Sequence, residues 1–136
     1  MKQIKDIKIK NKFITNKRQS YKVKNRLNII MSKFKLPLKR TDLKEGELVK
    51  AEVGDKSIVL GMVKGTIYAM DSVCSHQGGP LEEGWLDDYD LTCPWHQGIF
   101  DIRTAKASPK TNWVTDLNSY SVVVDEKNGE IFVEID

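Results

Sequence analysis

Short runs of alternating apolar and polar residues, separated by turn-forming pairs, dominate the chain from about residue 36 onward. A period of two predicts β-strands that bury one face. The predicted strands are, in chain order, Leu48–Val53, Ser57–Val63, Thr66–Met70, Tyr120–Val124 and Glu130–Ile135. Tight hairpin turns are expected between neighbouring strands at Gly54-Asp55, Lys64-Gly65 and Asn128-Gly129. The pattern therefore predicts an all-β fold whose outer strands form one antiparallel barrel or sandwich.

A central segment breaks this pattern and is predicted to form a small subdomain inserted into the β base. Residues 71–117 contain both cysteines, both histidines, all three tryptophans and three of the four prolines. Two loops, 73–80 and 93–98, are expected to flank a hairpin with arms at Glu83–Leu86 and Tyr89–Thr92 and a turn at Asp87-Asp88. We assign Trp85 and Trp113 to packing. The expected division is a leader at 1–30 and a domain at 31–136, comprising a base (36–70 and 118–136) and an insert (71–117).

Charge separates the leader from the rest of the chain. Residues 1–40 carry 14 Lys or Arg and one acid, whereas residues 41–136 carry 8 bases and 18 acids, a balance of +13 against −10. We expect residues 1–30 to be a basic, disordered leader, and three interpretations stay open. The first is an arm that binds nucleic acid or an anionic membrane, and the second is an organelle-targeting segment. The third is an over-long gene model, with translation starting at Met31. We favour the third interpretation, and expect no nucleic-acid partner.

Membrane and secretion signals are missing from the sequence. No run of about 18 apolar residues occurs, so we expect no membrane span. The N-terminus lacks the uninterrupted apolar segment of a secretory signal, which favours a cytoplasmic location.

Every cysteine and histidine of the chain falls in one of two short motifs. These are Cys74-Ser75-His76 and Cys93-Pro94-Trp95-His96, separated by the 16 residues 77–92. Thiolates and imidazoles suit iron, zinc or copper rather than calcium or magnesium. Two of each match a [2Fe–2S] cluster in which two Cys hold one iron and two His hold the other. A structural zinc ion is the alternative, although zinc sites more often pair like ligands and seldom use a Cys-x-His arm.

The two motifs together resemble those of the Rieske iron–sulfur family, and most of all those of its free-standing ferredoxins. The resemblance rests on Cys-Ser-His-Gln-Gly-Gly-Pro-Leu from Cys74, on Cys-Pro-Trp-His from Cys93 and on Phe100-Asp101, and it covers roughly residues 36–136. It implies a Rieske-like fold and one [2Fe–2S] cluster per chain. By this resemblance Cys74 and Cys93 would bind the inner iron, and His76 and His96 the outer iron near solvent.

The same resemblance implies a one-electron carrier that is not an enzyme by itself. Its partners would be a reductase as electron donor and an oxygenase, such as a ring-hydroxylating dioxygenase, or another oxidoreductase as acceptor. Two other functions stay open at this point. One is a zinc-stabilised interaction module, and the other is a Rieske small subunit or redox sensor fixed in a larger oxidoreductase.

Several positions depart from the family pattern. Gly79 and Trp95 stand where respiratory and photosynthetic members carry a bridging cysteine pair, so no disulfide bridge is expected. Gly98 and Phe100 stand where those members carry a serine and a tyrosine that hydrogen bond to the cluster and its Cys ligand. Fewer hydrogen bonds to sulfur predict a reduction potential toward the lower end of the Rieske range of about −150 to +300 mV.

Three smaller features complete the sequence-based expectations. Gln97 and Ala105 replace two glycines usual in the family, and we expect only a minor backbone adjustment there. Pro109 is assigned by resemblance to a third loop that covers the cluster. An acidic run is either a solvated β-edge or a docking face for a basic redox partner. It consists of Glu82, Glu83, Asp87, Asp88 and Asp90.

Overall fold

The computed structural model describes residues 20–24 and 30–135, and this part of the chain folds into ten strands and two single-turn 3₁₀ helices. The strands are β1 (Ser20–Lys24), β2 (Ile30–Lys39), β3 (Leu48–Val53), β4 (Lys56–Val63), β5 (Thr66–Asp71), β6 (Trp85–Asp87), β7 (Asp90–Thr92), β8 (Ile99–Asp101), β9 (Ser119–Val124) and β10 (Glu130–Ile135). The 3₁₀ helices are Arg40–Asp42 and Leu81–Glu83. The five strands predicted from the alternating pattern are confirmed as β3, β4, β5, β9 and β10, with bounds within one residue.

Seven strands form one antiparallel sheet in the order β1-β2-β10-β9-β5-β4-β3. Its last strand, β3, returns to contact β2, so the sheet is nearly closed into a barrel. The predicted all-β fold with an antiparallel barrel is therefore confirmed. No helix among residues 20–24 and 30–135 is long and apolar enough to cross a membrane.

Only a small part of the basic leader is described. Residues 20–24 pair with β2 as strand β1, from Ser20 opposite Phe34 to Lys24 opposite Ile30. The other residues before Ile30 lie outside the described residues. The interpretations of the leader and the division into domains therefore stay predictions.

Strand β4 lies between two apolar cores. Its alternate residues Ile58, Leu60 and Met62 point into the barrel. Val59 and Val63, on its other face, pack under the insert with β3 residue Leu48. Because both faces are covered, this strand is a continuous apolar run rather than a strict alternation.

A second, three-stranded antiparallel sheet of β6, β7 and β8 forms the centre of the insert. The predicted hairpin exists, but its turn lies at Asp88-Tyr89 rather than at Asp87-Asp88, because Asp87 pairs with Asp90. Asp88 takes the left-handed conformation with φ +56°. The Tyr89 ring lies 3.8 Å from the Arg103 guanidinium and 5.1 Å from Lys64 Nζ, contacts that favour Tyr89 as a turn residue.

The two ends of the insert meet at the edge of the barrel. The Asp71 backbone N–H donates to the Asn118 carbonyl at 2.9 Å, and the Asn118 N–H donates to Asp71 Oδ2 at 2.9 Å. The Tyr120 hydroxyl donates to the other carboxylate oxygen of Asp71 at 2.6 Å. The chain therefore leaves β5 and returns to β9 at almost the same place, since these two strands are paired neighbours.

Candidate metal centre

The first predicted ligand loop closes on itself directly after β5. The Cys74 N–H donates to the Gly79 carbonyl at 2.9 Å, and the Gly78 N–H donates to the Cys74 carbonyl at 3.0 Å. Gly78 has φ +73°, which glycine adopts without a steric penalty. The tight turn turns Cys74 inward, where it is 3% exposed, and leaves His76 exposed at the tip.

The second predicted ligand loop has the same hydrogen-bonded closure. The Cys93 N–H donates to the Gly98 carbonyl at 2.8 Å. Two consecutive residues that are not glycine, His96 and Gln97, adopt left-handed conformations with φ +61° and +59°. The backbone thus keeps the conformation of the usual glycine, and Gln97 bears a cost of roughly 1–2 kcal/mol instead of a rearranged loop.

The four predicted ligands come together as two pairs that differ in exposure. Both cysteines are free thiols in the interior, with Cys93 0% exposed. The His76 and His96 rings lie edge to face at the surface, with centroids 4.9 Å apart. Within residues 20–24 and 30–135, no three His, Cys, Asp or Glu side chains form a group around a single metal position.

Glycine at position 79 leaves room for sulfur between the two loops. A Cβ atom at Gly79 would lie 2.6 Å from Cys93 Sγ and 3.2 Å from Trp95 Cβ. Any larger residue would therefore push on a predicted ligand. The Gly78-Gly79 backbone thus lies close to the Cys93 thiol, where a side chain would not fit.

The electrostatics of the thiol pair suit a cationic centre. Burial, together with the neighbouring Cys74 thiol, raises the pKa of the Cys93 thiol to about 11. A backbone hydrogen bond from the Trp95 N–H to Cys93 Sγ, 3.4 Å long, acts in the opposite direction. A buried thiol is a poor thiolate on its own, and a bound iron would supply the positive charge that favours the Cys93 thiolate. The donor set therefore fits a [2Fe–2S] cluster with one Cys pair and one His pair.

A third loop, residues 106–117, ties the two ligand loops together. Ser75, between two predicted ligands, donates through Oγ to the Thr115 carbonyl at 2.8 Å and accepts from the Thr115 N–H at 2.9 Å. Val114 fills the space above Gly98, where a Cβ would lie 2.6 Å from Val114 Cγ1. A serine at position 98 would therefore collide with the third loop, so packing favours glycine at this position.

The aromatic residues around the site are less buried than their sequence suggested. Phe100 is 0% exposed and belongs to the core of the insert. Assigning Trp85 and Trp113 to packing was wrong, since they are 48% and 45% exposed. Trp85 lies on the edge strand β6 and Trp113 on the third loop, where the described elements leave about half of each side chain open to solvent. Trp95 is likewise 49% exposed.

Comparisons with known proteins point to one family of iron–sulfur proteins. The profile of the Rieske [2Fe-2S] domain matches residues 34–121. The ferredoxin component of the naphthalene 1,2-dioxygenase/salicylate 5-hydroxylase systems of a Ralstonia species is 38% identical over 86 residues, covering 62% of this chain and 80% of the relative. The ferredoxin component of the p-cumate 2,3-dioxygenase system of Pseudomonas putida is 38% identical over 98 residues, covering 69% of this chain and 79% of the relative.

A solved structure shows the same fold. A chain in the complex of reduced oxygenase and oxidised ferredoxin in carbazole 1,9a-dioxygenase superposes with a TM-score of 0.63 and 28% identity. The superposition covers 70% of this chain and 86% of that chain. The similarity therefore includes both the barrel and the insert.

Proposed function

Because the chain belongs to the Rieske [2Fe-2S] domain family, we propose that it is the ferredoxin component of an oxygenase system. We further propose that it holds its cluster on Cys74, His76, Cys93 and His96. The chain is an electron carrier with one [2Fe–2S] cluster, rather than an enzyme by itself. The zinc-stabilised module is set aside, because the family carries the iron–sulfur cluster.

The observation that carries the proposed ligand set is the opposite exposure of the two donor pairs. The bound cluster accepts and donates one electron. Cys74 and Cys93 hold its inner side within the apolar core of the insert, which excludes water from the sulfur ligands. His76 and His96 hold its outer side and expose their ring edges, which gives a partner the shortest approach.

The proposed acceptor is an oxygenase, and the proposed donor is a reductase. The relatives are named ferredoxin components of dioxygenase systems, and the superposed structure contains an oxygenase together with its ferredoxin. A cytoplasmic location fits the two free cysteines, because cytosolic thiols are kept reduced.

The second loop supports a reduction potential toward the lower end of the Rieske range. The backbone N–H of Trp95 is the hydrogen-bond donor described for Cys93 Sγ. Gly98 and Phe100 have no hydroxyl group that would add a second hydrogen bond to sulfur. A Phe100→Tyr variant is therefore expected to raise the potential by about 40 mV, the equivalent of one net hydrogen bond of about 1 kcal/mol to the reduced state.

Electron paramagnetic resonance of the dithionite-reduced protein tests the ligand set. The full chain is expected to give the low average g value of mixed Cys/His ligation, and Cys93→Ser is expected to lose that signal. His96→Cys is expected to lower the reduction potential by hundreds of millivolts, toward the value of about −400 mV typical of all-cysteine ferredoxins. Gln97→Asn, in the same loop, is the matched control and keeps both the signal and the potential. A colourless zinc-containing protein, or a Cys93→Ser variant with the full signal, would contradict the proposal.

A further inference from the structure

Three segments of the loops around the exposed histidines, residues 73–80, 93–98 and 111–115, contain no Asp, Glu, Lys or Arg. The charged residues of the third loop, Lys106, Lys110 and Asp116, lie outside residues 111–115. In the whole chain, 30% of residues are charged. We call these three segments together the uncharged rim. A surface of this composition is unusual on a molecule otherwise rich in charge.

Contacts between the segments make the rim one continuous surface. Ser75 of the first segment is hydrogen bonded to Thr115 of the third at 2.8 and 2.9 Å. The Ile99 N–H, next to the second segment, donates to Thr111 Oγ1 at 3.2 Å. The two imidazole rings lie 4.9 Å apart within this surface.

The rim also exposes large apolar side chains. Five large hydrophobic residues of the described chain are more than a third exposed, and three of them, Val73, Trp95 and Trp113, belong to the rim. Val73 and Trp95 flank the Gly78-Gly79 turn of the first loop, and Trp113 stands on the third loop. Contiguous exposed apolar patches mark interaction sites, and tryptophan is enriched among residues that dominate binding energy.

The acidic run lies toward the barrel instead. Trp85 pairs with Thr92, next to Cys93, whereas Asp87 pairs with Asp90 at the opposite end of the hairpin. Asp88 at the turn forms a 3.5 Å ion pair with Lys64 of the barrel. The 3₁₀ helix that carries Glu82 and Glu83 contacts barrel strands β3 and β4. A partner that approaches the histidines therefore meets the uncharged rim and not the acidic run.

We infer that the uncharged rim is the docking surface for the redox partner, and that the matching surface of that partner is apolar and uncharged. The inference rests on the proposed electron-transfer function. An unpaired partner charge pressed onto this surface would lose its hydration without gaining a counter-charge, so an uncharged partner surface is the complementary one. Trp113 is the central contact residue, because it is exposed, apolar and outside both ligand loops.

Electron self-exchange between oxidised and reduced copies of the full, cluster-loaded chain tests this surface. A second copy is used as the probe because it presents the same rim, and exchange broadening of paramagnetically shifted NMR signals gives the rate constant. Trp113→Ser is expected to lower the second-order rate constant about tenfold, as for a contact that dominates an interface. Asn112→Asp, which places a charge in the rim while keeping Trp113, is expected to lower it about fivefold.

Two controls separate docking at the rim from docking elsewhere. Trp85→Ser removes an equally exposed tryptophan outside the rim, and the Asp87→Asn/Asp90→Asn double variant removes two carboxylates of the acidic run. Both are expected to change the rate constant less than about twofold. The inference would be overturned if Trp113→Ser and Asn112→Asp matched the parent rate, or if either control slowed exchange as much as Trp113→Ser.

Spectra of the same samples separate this inference from the proposed function. If the parent protein gives no Rieske signal, the proposed function fails first. If the parent and variant signals and potentials agree while the rates do not respond to rim substitutions, only the docking surface is wrong.

Discussion

The barrel is built from strands of five to ten residues around a continuous apolar interior, whereas the insert is built from three-residue strands and hydrogen-bonded loops. Barrel strands are joined by regular ladders such as the six paired positions of β3 and β4. The loops of the insert are joined by single contacts, among them Ser75 to Thr115 and Val114 over Gly98.

This difference predicts how each region responds to amino-acid substitution. A ladder distributes its free energy over many bonds, so the loss of one side chain weakens the barrel without changing its shape. The insert positions the two predicted ligand pairs with few contacts, and several of its loop positions are glycine or have a left-handed backbone. We therefore expect substitutions in the barrel to change stability, and substitutions in the insert to change the cluster.

The same truncation in the two cores is the strongest test of this comparison. Leu60→Ala in the barrel and Leu91→Ala in the insert each remove a side chain that is 0% exposed, and each is expected to lower the free energy of unfolding by about 2–5 kcal/mol. Leu91 lies opposite Phe100 and two residues before Cys93, so Leu91→Ala is also expected to speed cluster loss. Chemical denaturation and bleaching of the cluster absorption measure the two effects. Equal bleaching rates in the two variants would contradict the comparison.

Removing the bonds between the first and third loops comes next in size. Ser75→Ala deletes both hydrogen bonds to Thr115, and is expected to cost about 1 kcal/mol and to broaden the g values of the reduced cluster. Ser75→Thr keeps a hydroxyl and is the matched control, expected to restore the sharp spectrum. Identical spectra for Ala, Thr and the parent would show that this contact does not order the site.

Relieving the left-handed backbone strain in the second loop should increase stability, whereas the preceding substitutions decrease it. Gln97 has φ +59°, so Gln97→Gly is expected to raise the free energy of unfolding by up to about 1 kcal/mol, partly offset by the greater freedom of glycine in the unfolded chain. Gln97→Ala is the control, because it removes the same side chain but keeps the Cβ atom. The unfolding temperature of Gln97→Gly should be higher than that of Gln97→Ala and of the parent. Any other order would mean that the backbone strain does not contribute measurably to stability.

The smallest expected effect is a pH-dependent one at Asp101. The Arg103 side chain hydrogen bonds both oxygens of this carboxylate, at 3.0 and 2.8 Å, and holds the pKa of Asp101 below its usual value. Because the folded pKa is the lower one, the stabilisation is present above about pH 4 and is lost as the pH falls through the folded value. Asp101→Asn should therefore cost less than about 1 kcal/mol at pH 6 and a smaller amount near pH 2. A constant difference across urea titrations at both pH values would exclude this linkage.

The regular part of the fold could be predicted because its side chains alternate with a period of two. Strands β3 and β10 have the predicted bounds, and turns at Gly54 and Gly129 adopt the positive φ values of +62° and +76°. The four candidate ligands could be predicted because the chain has no other cysteine or histidine. Their assignment to the cluster remains a prediction that the proposed spectroscopy tests.

Other features depend on contacts between distant segments, which no local pattern records. The hairpin turn moved by one residue because Tyr89 contacts Arg103 and Lys64. Strand β8 was not predicted, because three residues are too few to show a period. The exposure of Trp113 depends on which elements surround the third loop, and composition alone favours burial of tryptophan.

The hydrogen-bonded ends of the insert lie side by side at the edge of the barrel. Asp71 and Asn118 are bonded to each other, and the strands they terminate are antiparallel neighbours. A two-residue hairpin such as Asn-Gly in place of residues 72–117 would join β5 to β9 and leave the barrel connectivity intact. The reverse operation follows from the same geometry: other proteins with two adjacent antiparallel strand ends could accept the redox module by gene fusion at a single site.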